Sequence, residues 1–138
     1  MSSRNEIRFC FSRRNPGIIE VSMPKSDFVN ELKELGFNPI ELDSTKVYFE
    51  YEIPVGKNIG KNILMGFEVT NDFPMNCPTG PHFKSVGIEG WIEPAQNIHN
   101  SPFGGEWRYW SRPFKDWNRS EKTVKVYLAH IKNLLMKL

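Results

Sequence analysis

The chain is poor in the residues that carry most covalent and metal chemistry. It has two cysteines, Cys10 and Cys77, and three histidines in 138 residues. Two cysteines make neither a disulfide framework nor a zinc cluster. No two histidines stand at ligand spacing, so a metal site has no support and no cofactor is expected. Charge of one sign is also lacking. Eighteen basic and 16 acidic residues leave a net +2, too balanced for nucleic acid or an anionic membrane as the main partner. No run approaches the roughly 18 apolar residues of a membrane span. The first residues, Met-Ser-Ser-Arg-Asn-Glu, contain no apolar segment of the signal-peptide kind. A reducing, cytoplasmic location is the expectation.

What the chain does have is aromatic mass. Ten Phe and four Trp can fill one core with few residues, because each large ring buries about 150–250 Å². The length suits a single domain. There is no internal repeat and no low-complexity tract.

Residues 1–24 read as an extension or an extra hairpin. Ile7 to Phe11 alternates, Arg13 to Gly17 is a turn, and Ile18 to Val21 can be a second strand. Ser26 or Asp27 can cap a short helix carrying Phe28, Val29, Leu32 and Leu35, closed by Gly36. Two strands follow. Val47, Phe49, Tyr51 and Ile53 share one face of the first, and Ile63, Met65, Phe67 and Val69 share one face of the second. Such period-two alternation marks a half-buried antiparallel sheet. The link between them, Pro54 to Asn62, reads as a hairpin loop, with Lys57 to Lys61 solvated.

From Asp72 to Pro113, proline and glycine are frequent and no long element is evident. Irregular stretches of about 40 residues are uncommon in compact domains and tend to be functional or to be fixed by aromatic packing. Val86 to Ile92 can supply one short strand. The final helix has Ser120 as its expected N-cap and one apolar face of Val124, Tyr127, Leu128, Ile131, Leu134, Leu135 and Leu138. Lys132 and Lys137 near its end suit the helix dipole. The expected class is α+β: an N-terminal helix, an antiparallel meander of about four strands, an irregular Pro/Gly/aromatic-rich region and a C-terminal helix.

The segment after the second strand reads Phe73-Pro74-Met75-Asn76-Cys77-Pro78-Thr79-Gly80-Pro81-His82-Phe83. It resembles the F-P-x-x-Y-P-x-x-P turn of ubiquitin-conjugating enzymes, with Cys77 in the tyrosine's place. Prolines fix φ and remove donors, so they suit a rigid turn beside a sheet. Farther on, Ile98-His99-Asn100 resembles the family's H-P-N segment without its proline. Trp117 falls where the family has a tryptophan before its next helix. The resemblance covers residues 25–138, and the run Trp107-Arg108-Tyr109-Trp110-Ser111-Arg112 with Phe114 looks like prokaryotic family E of that superfamily.

The resemblance implies a thioester-carrying cysteine about ten residues after the histidine. Counting from His99 gives Tyr109, and counting from Gly105 gives Arg108. Neither is a thiol. Asn100 would match the family's oxyanion donor, but without a nucleophile such a donor catalyses nothing. The expectation is therefore a non-catalytic relative in a bacterial ubiquitin-like modification system. Its partners would be a ubiquitin-like protein, an activating enzyme or another conjugation component. Two alternatives stay open. One is an active enzyme with a displaced nucleophile, Cys77 or Ser111, for which His82 and His99 are the only bases in reach. The other is a scaffold of the related RWD type. Cys10 and Cys77 read first as buried side chains, Ser111 as a turn hydroxyl and His99 as a loop-organising residue. The 107–112 run fits core packing, a protein interface rich in Trp and Arg, or base stacking. The balanced charge argues against the last.

Overall fold

The computed structural model describes residues 24–138. The expected N-terminal hairpin and Cys10 lie outside the described residues. Helix α1 (Pro24–Glu34) buries Phe28, Val29 and Leu32. Ser26 and Asp27 stand inside its first turn. Gly36 closes it with φ +97°, while Phe37 and Gly36 donate their N–H groups to the carbonyls of Leu32 and Lys33. This doubled cap needs a left-handed residue, which glycine adopts without a Cβ clash. Phe37 then folds back onto Phe49, ring centroids 4.8 Å apart.

Among the described residues, six strands form one antiparallel sheet: β1 (Ile40–Glu41), β2 (Lys46–Glu52), β3 (Asn62–Glu68), β4 (His82–Phe83), β5 (Ile98–Ser101) and β6 (Gly104–Trp110), in the order β1-β2-β3-β4-β6-β5. The first four make the expected meander. The chain then skips a position, runs along the far edge as β5 and returns as β6 to pair with β4. This hairpin falls in the region expected to be irregular. Val86 to Ile92, expected as a strand, is instead a pair of turns, exposed except for Trp91, which packs on Phe83 and Trp110. Gly87 and Gly90 take left-handed angles there (φ +87° and +74°), which breaks any extended run.

Val47, Phe49, Tyr51, Ile53, Ile63, Met65, Phe67 and Val69 are all buried on one face, as their alternation requires. Both helices cover that face. Phe67 meets Phe28 from α1 at 5.7 Å and Tyr127 from the final helix at 5.3 Å. Each such side chain contributes about 1.5–3 kcal/mol when fully buried. That final helix, α2 (Val124–Met136), buries Val124, Tyr127, Ile131 and Leu135. Its cap is Thr123, whose side chain accepts from Val126 N, rather than Ser120. Ser120 instead closes the 3-10 turn Trp117–Arg119 through its own hydroxyl, 2.7 Å from the Trp117 carbonyl. The Glu31 carboxylate of α1 accepts from Val124 N at 2.9 Å, so one helix also caps the other.

The loop 57–61 is not wholly solvated. Asn58 is buried and makes two hydrogen bonds with the backbone of Ile92: Nδ2 donates to its carbonyl at 2.7 Å and Oδ1 accepts from its N–H at 2.8 Å. No helix among the described residues is long and apolar enough to cross a membrane.

Candidate functional site

Strand β6 draws the sequence motifs together. Across it on one side lies β5, which pairs His99 with Tyr109 and Asn100 with Arg108. On the other side lies the proline turn. Trp110 N donates to the Pro81 carbonyl and Arg112 N to the Thr79 carbonyl, both at 2.9 Å, so the turn extends the β4–β6 ladder beyond β4. Gly80 is required here, since a Cβ would sit 1.8 Å from the Trp110 carbonyl oxygen. Phe73, Pro78 and Pro81 are buried and Cys77 is half-buried. The Tyr109 hydroxyl and Thr79 Oγ1 share a hydrogen bond of 2.6 Å.

The mouth of the hairpin is held by Arg112. Its guanidinium donates to the carbonyls of Ser111 (2.8 Å), Gln96 (3.0 Å) and Asn97 (3.4 Å). Ser111 N also donates to the Asn97 carbonyl.

The run 107–112 divides by strand parity. Trp110 faces the helices, fully buried against Phe83 at 4.7 Å. Trp107 faces the other way and is still only 8% exposed, because Tyr48 and Phe103 pack on it at 5.7 and 4.9 Å. Neither tryptophan is free to anchor an interface. His99 and Asn100 are exposed, with Arg108 and Tyr109 half-buried.

His82 sits between Tyr109 and Phe103, centroids 4.6 and 4.7 Å away. Its Nδ1 lies 2.8 Å from Ser101 Oγ, which also accepts from Phe103 N. Burial, reinforced by the Lys46 charge, pushes its pKa down to about 4, so the ring is neutral near pH 7. The sequence offered His82 as a base for Ser111. In the fold it belongs to a closed aromatic layer, and Ser111 makes its hydrogen bonds through its backbone. His99 is an exposed strand residue, tilted 35° to the Tyr109 ring at 6.0 Å, not a loop residue.

Cys77 lines a cavity of about 460 Å³ with Asp72, Thr79, Phe114 and Trp117. Burial pushes its thiol up to about 11. A thiolate is the nucleophilic form, so this environment opposes attack.

Sequence reasoning missed three structural contributors: Ser101 and Phe103, which enclose His82, and Asn58. None belongs to a motif. Only the Pro102-Phe103-Gly104 run, with its turn-forming residues, signalled the hairpin. Comparison with protein-family models, with curated proteins and with solved structures found no match in any of the three.

Proposed function

We propose that this chain is a non-catalytic, ubiquitin-conjugating-enzyme-like protein of a bacterial ubiquitin-like modification system, which binds a ubiquitin-like protein, an activating enzyme or another conjugation component. One observation carries the reading: the register pairs His99 with Tyr109 and Asn100 with Arg108. The His-Asn segment thus lies directly beside both residues that count as the family's cysteine position, and the proline turn docks on the same strand. The arrangement resembles that family's catalytic framework with the nucleophile replaced. The interaction surface on this reading is the exposed edge strand β5, His99 and Asn100, with the half-buried Arg108 beside it.

The displaced-nucleophile alternative is weaker on physical grounds. The Cys77 thiol is held protonated by burial, and a serine needs an adjacent base that Ser111 lacks among the described residues.

The test is incubation with ATP, an activating enzyme and a ubiquitin-like protein from the same gene neighbourhood, followed by intact mass with and without reductant and by a sizing column. The expected result is no adduct, a complex with one component, and loss of that complex in His99→Ala/Asn100→Ala with the fold retained. A reductant-sensitive adduct would establish a thiol acceptor. A hydroxylamine-labile, reductant-resistant one would point to Ser111. No adduct and no complex with any component would favour the RWD-type scaffold.

A further inference from the structure

A second cavity, of about 460 Å³, opens on the helix-covered side, with neither His99 nor Asn100 in its lining. It lies between the loop holding Ile92, Glu93 and Pro94 and the end of α2, with Trp110, Leu134, Lys57, Arg112, Lys137 and Leu138 also lining it. That size lies within the range of small-molecule sites, which combine an apolar lining with a few placed polar groups.

Its chemistry is one-sided. Three cationic side chains, Lys57, Arg112 and Lys137, outnumber the Glu93 carboxylate and the terminal carboxylate on Leu138. No described carboxylate lies within ion-pair distance of any of the three cations. Arg112 donates only to neutral backbone carbonyls, so its charge is positioned but not neutralised. The apolar part is the Trp110 ring with Ile92, Pro94 and Leu134. Trp110 is fully buried, yet its indole N–H has no acceptor. A buried donor without a partner costs about 1–3 kcal/mol, so Trp110 sits at the cavity wall with a polar group unsatisfied. The rim is also built in advance, since Asn58 ties Ile92 to the residue beside Lys57.

We infer that this cavity binds a small organic anion, with its apolar body on Trp110, Ile92 and Leu134 and its carboxylate or phosphate on Lys57, Arg112 and Lys137. The inference does not depend on the ubiquitin-related reading.

The test uses the full chain, ¹⁵N-labelled with its four tryptophan indole signals assigned, titrated with phenylacetate, phenyl phosphate and neutral phenylacetamide. The expected result is a saturable shift of the Trp110 indole N–H with the anions, half-saturated at about 1 mM or below as such small ligands allow. Whichever anion binds more tightly identifies the headgroup. Lys57→Gln/Lys137→Gln, which leaves the hairpin clamp of Arg112 intact, should weaken it about tenfold or more. No saturable shift with either anion would overturn the inference. So would equal binding of phenylacetamide, or undiminished affinity in the double variant.

Discussion

Trp117 donates its indole N–H to the Pro74 carbonyl, 2.9 Å away across 43 residues of sequence. The bond joins the proline turn to the turn before α2. The Trp117 ring lies against Phe73, Phe114 and Tyr127 at centroid distances of 6.1 to 6.3 Å, so packing and hydrogen bond act on the same junction. Trp117→Phe keeps most of the ring contact and removes the donor. It should lower stability by about 1–2 kcal/mol, and Trp117→Ala by about 3–5 kcal/mol. Urea unfolding measures both. A Trp117→Phe midpoint equal to the parent's would mean that water replaces the bond without loss.

The outer face of the sheet depends on a missing side chain. Gly66 lies under the Phe103 ring, and a Cβ there would meet Cε2 at 2.6 Å and Cζ at 2.8 Å. Gly66→Ala must push the ring off its place between His82 and Trp107. The expected cost is about 1–2 kcal/mol, although alanine suits a strand interior better than glycine. In a Phe103→Ala background the same change should cost nothing or stabilise. A double-mutant cycle reads the coupling, and simple additivity would show that the ring moves freely.

The elements that announced themselves in the sequence bury one face and expose the other. Strands β2 and β3 and helix α2 were legible because their apolar residues recur at periods of two and three to four. Strand β6 was not, because both its faces are covered. Trp107 and Tyr109 lie under the outer aromatic layer while Trp110 lies in the main core, so the run 107–112 shows no alternation. Helix-cap positions depend on local competition: Ser120 and Thr123 can both cap, and the 3-10 turn uses the first. The site motifs were legible as a set. Their pairing was not: the ladder sets His99 beside Tyr109 and Asn100 beside Arg108, with the proline turn on the other side of the same strand. What spacing could not supply was burial. That put His82 and Cys77 out of reach of the chemistry considered for them, and it brought Asn58, an ordinary loop residue by composition, into a buried bridge.

Cys77 should react slowly. With its thiol pushed up to about 11, the thiolate fraction at pH 8 is roughly 0.001, against about 0.2 for an ordinary thiol near 8.5. In a Cys10→Ser background, which leaves Cys77 as the single thiol, alkylation of the native protein at pH 8 should run about 200-fold below that of the urea-unfolded chain. Equal rates would mean that the cavity beside Cys77 admits water and stabilises the thiolate, which would revive the displaced-nucleophile alternative.

His82 should make the fold acid-sensitive before the carboxylates do. An unfolded histidine takes up its proton near pH 6.5, whereas burial holds that of His82 near 4. Between those values the unfolded chain binds the proton and the native one does not, so stability falls as pH falls through this window. The gap from 6.5 to about 4 corresponds to about 3 kcal/mol in total, at most about 1.4 kcal/mol per pH unit. Glu68 Oε1, 4.0 Å from Nε2, is too far to hydrogen-bond and offsets little of this. Below pH 4 the histidine contribution levels off and Asp43 and Asp72, both held low by hydrogen bonds, take over. Burial also lowers His130, with the Lys137 charge a smaller cause, so the parent alone does not isolate His82. The informative quantity is the difference between the parent and His82→Gln, in which His130 cancels. Gln loses the ring contacts at every pH, which changes the level and not the slope. Urea midpoints measured from pH 8 to pH 4 should therefore fall more steeply for the parent, and the two curves should converge toward the acid end. Parallel curves would mean that His82 takes up its proton at an ordinary pKa, with the layer formed by Tyr109 and Phe103 open to water.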